Sequence, residues 1–402
     1  MADRPGSFRE TSYTPKLAGI DDLGSSLITL TVNLSRFREN LREIRAFIAP
    51  SKLICVVKAN AYGFGIAGLI PILSEFPDVS LAVATADEAL EIKALGYGGR
   101  IILIGYTHPK CYYQVVHSGC QLSAYRPENI PALAEACRAL KHPLGLHIKV
   151  DTGLARMGVA LDDLPGFIRQ LRQYPQFAVV GLFSHLVDSG APEREINALQ
   201  EQRFKRAIEV ATAELGYRPE CHLANSAAVM NQPRLHLDSV RMGIALFGIT
   251  AEAHHEARMN LRPCFRLASE VIDLHHVRPG DGVSYTHSYI APRETVIATL
   301  PFGYADGMFR AESNKAQVLI GGRRCPLAGN VTMDYVMADV GGADGSGAGV
   351  ALGDEAVFIG AQQGRAGEGS ISIEEAAEWA GTIPYEVSCA WGRRVRRVYQ
   401  ED

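Results

Sequence analysis

The chain has 402 residues, 47% of them hydrophobic and 21% charged, a composition typical of globular proteins and enough for two or three domains. A net charge of −4 with no block of like charge argues against nucleic acid or another polyanion as a partner. No apolar stretch nears the roughly 18 residues of a membrane span, and the eight cysteines form no C-x-x-C pair for zinc or redox work, so a reducing, cytoplasmic setting without a metal is expected.

Residues 1–26 mix acids, Pro, Gly and Ser without an apolar core, and read as an N-terminal extension rather than a signal peptide or anchor. A helix is expected to run from an N-cap at Ser35 to Ile48. Short apolar runs then follow at 53–60, 81–86, 101–105, 121–125, 144–151, 179–186, 220–226 and 239–248. Amphipathic helical patterns lie between them, at 87–95, 126–140, 161–173 and 192–215. Eight strands with helical crossovers predict a (β/α)8 TIM-type barrel over residues 27–262. The competing architecture, an open doubly wound sheet, usually carries a Gly-rich phosphate fingerprint after its first strand, and this chain has none there. Beyond residue 262 the helical patterns give way to short strand-like runs at 266–275, 295–300, 316–320, 336–340 and 356–359, with one short helix at 373–380. Residues 263–402 are therefore expected to form a mostly β C-terminal domain. The stretch GGADGSGAG at 341–349 reads as a flexible loop with no assigned function.

The first barrel strand ends in Val56-Val57-Lys58-Ala59-Asn60-Ala61-Tyr62-Gly63-Phe64-Gly65. Taken alone, Lys58 reads first as a strand-end lysine with its ammonium in solvent. A buried lysine loses basicity, however, and a neutral amine can capture a carbonyl. Functional residues of a barrel collect where strands end. Those positions hold Lys58 and Asn60, then Lys149, Asp151 and Arg156, then His185, then His222, Asn225 and Ser226, then Arg241. Each has a plain structural reading as well: His185 a hydrogen-bonded core histidine, Arg241 the partner of a barrel acid, Asn225-Ser226 a helix cap. Their convergence makes a cationic cup, and Ser226 with Gly243 and Ile244 suits a phosphate. A lysine, a phosphate pocket and a ring of cations together suit an aldehyde-bearing phosphorylated cofactor held on the lysine.

Eight motifs in this order, VVKANAYG, K-V-D-T-G-x-x-R, H-x-A-N-S-A-A, V-R-x-G-I-A-x-x-G, V-S-Y, G-Y-A-D-G, M-D and Y-E-V, resemble those of bacterial alanine racemase. The resemblance covers residues 27–398. It implies a fold-type III enzyme dependent on pyridoxal 5'-phosphate, an isomerase interconverting L- and D-alanine in D-alanine and peptidoglycan precursor biosynthesis. It also implies a homodimer with shared active sites. By this resemblance Lys58 carries the cofactor and is the base on one face of the substrate, while Tyr285 of the partner subunit is the base on the other. Two flanking acid/base groups are what removal and return of a Cα proton from opposite sides require. Arg241 would face the pyridine nitrogen, supported by His222, and His185 would pack near the cofactor or Tyr285. Tyr62, Asn225, Ser226, Gly243, Ile244 and Tyr385 would hold the cofactor, chiefly at its phosphate. Arg156 would meet the cofactor phenolate and the substrate carboxylate, positioned by Lys149, which is carbamylated (N6-carboxylysine) in many members. Met333 and Asp334 would bind the substrate carboxylate from the second subunit, with Tyr304 and Asn330 in the access corridor.

Three positions depart from the pattern: Phe64 replaces a histidine, Asn330 stands where many members have arginine, and 186–190 differs in spacing. Tyr385 keeps the aromatic residue that limits side-chain room. The alternatives are a serine-preferring or broad-specificity racemase of the same fold, and a non-catalytic cofactor-binding protein with a lone barrel. Decarboxylases for basic amino acids share the plan but usually place an acid where Arg241 stands.

Overall fold

The computed structural model describes residues 27–250, 259–341 and 349–401; the 1–26 extension and nearly all of the 341–349 loop lie outside them. The chain opens with β1 (Thr29–Asn33) and α1 (Leu34–Ile48). The N-cap of α1 is Asn33, whose side chain accepts from the Arg36 N–H at 2.8 Å, and not Ser35 as expected, because the helix starts two residues earlier, directly from the last residue of β1. Phe37, Leu41, Ile44 and Ile48 recur at helical spacing along α1 and are buried.

The barrel strands are β2 (Lys52–Val56), β3 (Ser80–Val83), β4 (Ile101–Leu103), β5 (Gln121–Ala124), β6 (Leu144–Lys149), β7 (Phe177–Phe183), β8 (Glu220–His222) and β9 (Ser239–Met242). They pair in parallel in the order β8-β7-β6-β5-β4-β3-β2-β9. At the seam between β8 and β9 the Asp238 N–H reaches the Cys221 carbonyl at 3.2 Å and the Arg241 N–H reaches Ala224 at 3.0 Å, so the barrel is nearly closed. β3, β4 and β9 are buried along their whole lengths, the pattern of parallel strands covered on both faces. The crossovers run through α2 (Lys58–Tyr62), α3 (Ile66–Ser74), α4 (Ala86–Ala94), α5 (Tyr112–His117), α6 (Ile130–Leu140), α7 (Leu164–Leu171), α8 (Glu195–Leu215) and α9 (Ser226–Asn231). α2 is a single turn of unusual hand, described below.

The rest of the chain is mostly β, as expected. A seven-stranded sheet combines β10 (Phe265–Glu270), β15 (Gln317–Ile320), β16 (Arg323–Pro326), β18 (Glu355–Gly364), β19 (Gly367–Ile371) and β20 (Arg396–Gln400) with β1. β1 pairs antiparallel with β10 and parallel with β20, so the strand preceding the barrel in sequence belongs to the second half in space. β11 (Asp273–Val277), β14 (Thr295–Leu300) and β17 (Val336–Asp339) form a second sheet, and β12 (Gly282–Val283) and β13 (Tyr289–Ile290) a hairpin. The run 266–275 thus divides into two strands of different sheets. α10 (Ile373–Ala380) falls where the helix was expected, and α11 (Pro384–Ala390) follows it. No helix of the described residues is long and apolar enough to cross a membrane.

Candidate functional site

A cavity of about 490 Å3 opens at the rim where the barrel strands end. Lys58 stands just past β2 at its wall. Ala59, Asn60, Ala61 and Tyr62 follow with φ between +52° and +56°, a left-handed turn without a glycine. Each such residue costs roughly 1–2 kcal/mol relative to the right-handed form, Asn less than the others. Part of the support comes from neighbouring side chains: the Ala59 N–H donates to Glu88 Oε1 at 2.6 Å, and Asn60 Oδ1 accepts from the Ile66 N–H at 2.8 Å. Gly63, at φ +86°, ends the turn. The turn sends Tyr62 back into the wall, where its hydroxyl lies against Gly243 so closely that a Cβ on Gly243 would sit 2.4 Å from it.

An anion cradle adjoins Tyr62. Asn225 caps α9, its Oδ1 accepting from the Ala228 N–H at 3.1 Å, and Ser226 Oγ accepts from the Gly243 N–H at 3.0 Å. A short 3-10 helix, Ile244–Phe247, starts beside α9. The first N–H groups of both helices have no partner within their own helix, and the residues at those helix starts, Asn225, Ser226, Gly243 and Ile244, line the same cavity as Tyr62 and Tyr385 of α11. Partial positive charge and N–H donors together suit a phosphate.

Arg241 on β9 is buried, and its guanidinium bonds neutral groups only. Nη1 donates to His222 Nδ1 at 2.9 Å and to the His222 carbonyl at 2.8 Å; Nη2 donates to the carbonyls of Ser184 and Leu223 at 2.8 and 2.9 Å. No carboxylate pairs with it among the described residues, which removes the plain reading of Arg241 as the partner of a barrel acid. Burial lowers its pKa to about 10, which leaves it charged at neutral pH. Nε has no acceptor among the described residues, and Arg241 lines the cavity. Since Arg241 only donates, His222 Nδ1 must accept, and the neutral ring then carries its proton on Nε2. His222 Nε2 lies 3.0 Å from His147 Nδ1, and His147 Nε2 lies 2.8 Å from Gln121 Oε1. One tautomer of each ring satisfies the whole chain, with Gln121 as the final acceptor. Burial first, then the neighbouring arginines, hold both imidazoles far below their ordinary pKa and hence neutral. His185 is neutral for the same reason: burial and the Arg241 charge push it down to about 3.

Lys58, Lys149 and Arg156 complete a cationic wall. Burial is the main cause lowering the Lys58 pKa, with the Arg156 charge next. Lys149 at the end of β6 is only 4% exposed and lies 5.1 Å over the Phe183 ring. Burial and the charges of Arg156, Arg241 and Lys58 bring its pKa to about 8. These residues fit an aldehyde-bearing phosphorylated pyridine: one cavity is lined by an amine of reduced basicity, an anion cradle and a guanidinium with an unused donor.

The cavity thus gathers Lys58, Tyr62, Lys149, Arg156, His185, Asn225, Ser226, Arg241, Gly243, Ile244 and Tyr385, with His222 directly behind Arg241. It does not gather Tyr285, Met333, Asp334, Tyr304 or Asn330. These cluster on the C-terminal domain: Asn330 Nδ2 donates to the Tyr285 carbonyl at 2.8 Å, and the N–H groups of Tyr304 and Ala305 donate to the carbonyls of Thr332 and Met333 at 2.9 and 3.0 Å. Tyr285 is 73%, Met333 53% and Tyr304 45% exposed. The backbone around Tyr285 is strained, with Ser284, Thr286 and His287 all at positive φ.

Sequence reasoning missed His147, Gln121 and Glu88. His147 had a signal: it precedes Lys149 by two residues on β6, so both side chains lie on one face of the strand. Gln121 and Glu88 had none, since their contacts come from other elements. The departures are placed as well. Phe64 is fully buried, stacked on Phe247 at 3.8 Å and edge-on to Phe265 and Trp391. The 186–190 stretch supplies Leu186, Val187, Asp188 and Ser189 to the cavity wall.

Two family models match the chain: alanine racemase, N-terminal domain, over residues 32–251, and alanine racemase, C-terminal domain, over 264–399. An alanine racemase of Desulfovibrio desulfuricans is 36% identical over 377 residues, covering 92% of this chain and 97% of that one. The alanine racemase of Bacillus anthracis, solved with bound L-Ala-P, superposes with a TM-score of 0.85 at 30% identity, over 93% of this chain and 95% of that one. The alanine racemase of Bartonella henselae, with covalently bound pyridoxal phosphate, superposes with a TM-score of 0.82 at 26% identity, over 93% of this chain and 99% of that one.

Proposed function

The chain belongs to the alanine racemase family, and from that premise we propose that it interconverts L- and D-alanine by a two-base mechanism whose second base, Tyr285, comes from the partner subunit of a homodimer. The enzyme is an isomerase that depends on pyridoxal 5'-phosphate. The observation carrying the proposal is the division of the predicted site residues into two sets, one lining the cavity and one exposed on the C-terminal domain. A second copy of the chain is the natural source of what each cavity lacks.

When bound, pyridoxal 5'-phosphate supplies a carbonyl for an amine to capture and a ring that draws electron density from the substrate Cα. Tyr62, Ser226, Gly243, Ile244 and Tyr385 would hold its phosphate, and Lys58 would be its covalent anchor. The Lys58 amine, made less basic by burial and by Arg156, would take the Cα proton on one face or return it. Tyr285 of the partner subunit does the same on the other face. Arg241 would donate a hydrogen bond to the ring and keep its own proton, so the ring would draw electrons less strongly than one facing an acid. That favours return of the proton to Cα over transfer of the amino group. Arg156 with the partner subunit's Met333 and Asp334 meets the substrate carboxylate. Lys149, a buried amine with a pKa of about 8, is suited to carbamylation: the ammonium loses one proton, the neutral amine adds CO2 and loses a second, and an anion replaces a cation close to Arg156. A 13C resonance from labelled bicarbonate, absent in Lys149→Ala, would mark that group.

Tyr385 is half-buried, lines the cavity with its ring 6.0 Å from that of Tyr62, and by the resemblance limits the room for a substrate side chain. Serine is therefore expected to turn over with a kcat/KM about ten- to a hundredfold below that of alanine. The deciding experiment follows deuterium uptake from solvent at Cα of L-alanine and D-alanine with the cofactor present. Exchange with inversion from both enantiomers is expected. A protein that binds the cofactor yet leaves Cα unexchanged would be a non-catalytic binder, and the proposal would fail.

A further inference from the structure

The geometry points to a further role for the C-terminal domain within its own subunit: Arg397 and Tyr399 of β20 are positioning residues that hold the left-handed turn presenting Lys58 and Tyr62 to the cofactor. The inference rests on the cofactor reading above and extends it to residues remote from the cavity.

The turn needs outside support. Ala59, Ala61 and Tyr62 each favour the right-handed region, and the turn's own bonds, such as the Ala61 N–H to Val57 O and the Gly63 N–H to Ala59 O, both 2.9 Å, must act against that preference. β20 provides the support directly behind it. Arg397 Nε and Nη2 donate to the Gly63 carbonyl at 3.1 and 2.9 Å, while its Nη atoms reach the carbonyls of Trp391, Gly392 and Val395 at 2.6–2.8 Å. One guanidinium thus ties the end of the turn to the loop behind it through main-chain carbonyls. The Tyr399 hydroxyl lies 3.0 Å from both the Phe64 and the Gly65 carbonyls. The contact is close enough to dictate glycine. A Cβ on Gly63 would lie 2.0 Å from the Ser388 carbonyl oxygen, one on Gly65 2.0 Å from the Tyr399 hydroxyl, and one on Gly68 2.2 Å from the Tyr399 ring. Between these contacts Phe64 is locked among Phe247, Phe265 and Trp391. Ser388 lies on α11, which also carries Tyr385, so one C-terminal unit braces the turn and supplies a side chain to the cradle.

A clamp that served folding alone would change stability and leave the affinity of the folded protein for its cofactor untouched; a positioning clamp changes that affinity. The test uses the full chain and three variants. Tyr399→Phe removes one hydroxyl and keeps the ring against Gly65 and Gly68. Arg397→Lys keeps the charge and loses the fork. Arg324→Ala breaks an exposed pair with Glu375 in the same domain and is the control. For each, the Kd of pyridoxal 5'-phosphate is measured by titrating apoprotein, together with the visible circular-dichroism band of the bound cofactor and the melting temperature of the apoprotein. The expected result is a Kd raised about three- to tenfold in Tyr399→Phe and more than tenfold in Arg397→Lys, with an altered band in both and neither change in Arg324→Ala. An unchanged Kd and band in folded Tyr399→Phe would overturn the inference, as would Kd changes that follow the melting temperature across all three. If Arg397→Lys does not fold, Tyr399→Phe decides alone. Altered cofactor binding in a protein that never exchanges the alanine Cα proton would keep this inference and reject the racemase mechanism, so the two fail separately.

Discussion

Two amines share one cavity, Lys149 buried and Lys58 half-buried, and desolvation shifts both in the same direction. Lys58 and Lys149 are each made less basic by desolvation and by neighbouring cations. What separates them is position: Lys58 lies beside the cradle of Tyr62 and Ser226, whereas Lys149 rises from β6 over the Phe183 ring. Lys58→Ala is therefore expected to lose the borohydride-reducible bond to the cofactor and racemisation together. A cofactor still fixed by borohydride in that variant, through Lys149 or otherwise, would refute the assignment. Lys149 makes a second, pH-dependent prediction. Its pKa falls from the ordinary lysine value to about 8 on folding, so between those two values the unfolded chain binds more protons than the folded one. Stability then rises with pH through that window, and below it the full cost of burying the cation is felt. In CO2-free buffer, Lys149→Met apoprotein should melt above the parent near pH 7, with the gap closing toward roughly pH 10. A gap that is constant with pH, or of opposite sign, would show that the amine is not a buried cation. At this scale the sequence was readable in residue type alone: the lysines, arginines and histidines of the rim stood out, but their protonation states and partners did not.

Between single residues and the whole fold, the site is a property of strand ends held in register. The relay from Gln121 through His147 and His222 to Arg241 crosses β5, β6, β8 and β9, and a slip of one residue in any of them would turn its side chain away from the barrel interior. The phosphate cradle depends in the same way on two helix starts meeting at Gly243. The backbone of Gly243 is at φ −117°, outside the left-handed region, and the space that a Cβ would need is taken by Tyr62. Gly243→Ala should accordingly leave the fold intact and displace Tyr62, whose hydroxyl lies 2.4 Å from the new Cβ. The expected consequence is a cofactor Kd raised about tenfold or more, read by absorbance titration. Wild-type affinity in the folded variant would mean that Tyr62 does not hold the phosphate. The barrel strands and the long helices were legible as elements because their hydrophobic periodicity is local. β1, β12, β13, β16, β19 and β20 were not, being short, polar on one face, or strands only because a neighbour pairs with them.

For the molecule as a whole, the question is what completes the cavity. Tyr285, Met333 and Tyr304 are exposed on the C-terminal domain, and a symmetric pair of chains can bring each set to the other's cavity. Two inactive homodimers, Lys58→Ala and Tyr285→Phe, should therefore regain activity when their subunits are exchanged. Random exchange leaves about one quarter of the sites with both bases. No regain after exchange verified by mass spectrometry would place both bases in one chain. Sedimentation should also show a dimer at assay concentrations, and a fully active monomer would exclude a shared site. By itself, the sequence determined the architecture and the residue types at the rim. Apolar periodicity sets strands and helices, and a barrel brings strand ends together whatever the loops do. Only the tertiary structure decided that Tyr285 stands apart from its own cavity, that Asn33 rather than Ser35 caps the first helix, and that β20 returns to grip the turn after Lys58. Those outcomes depend on contacts between residues hundreds of positions apart, and no local pattern of side chains encodes which distant backbone will arrive beside it.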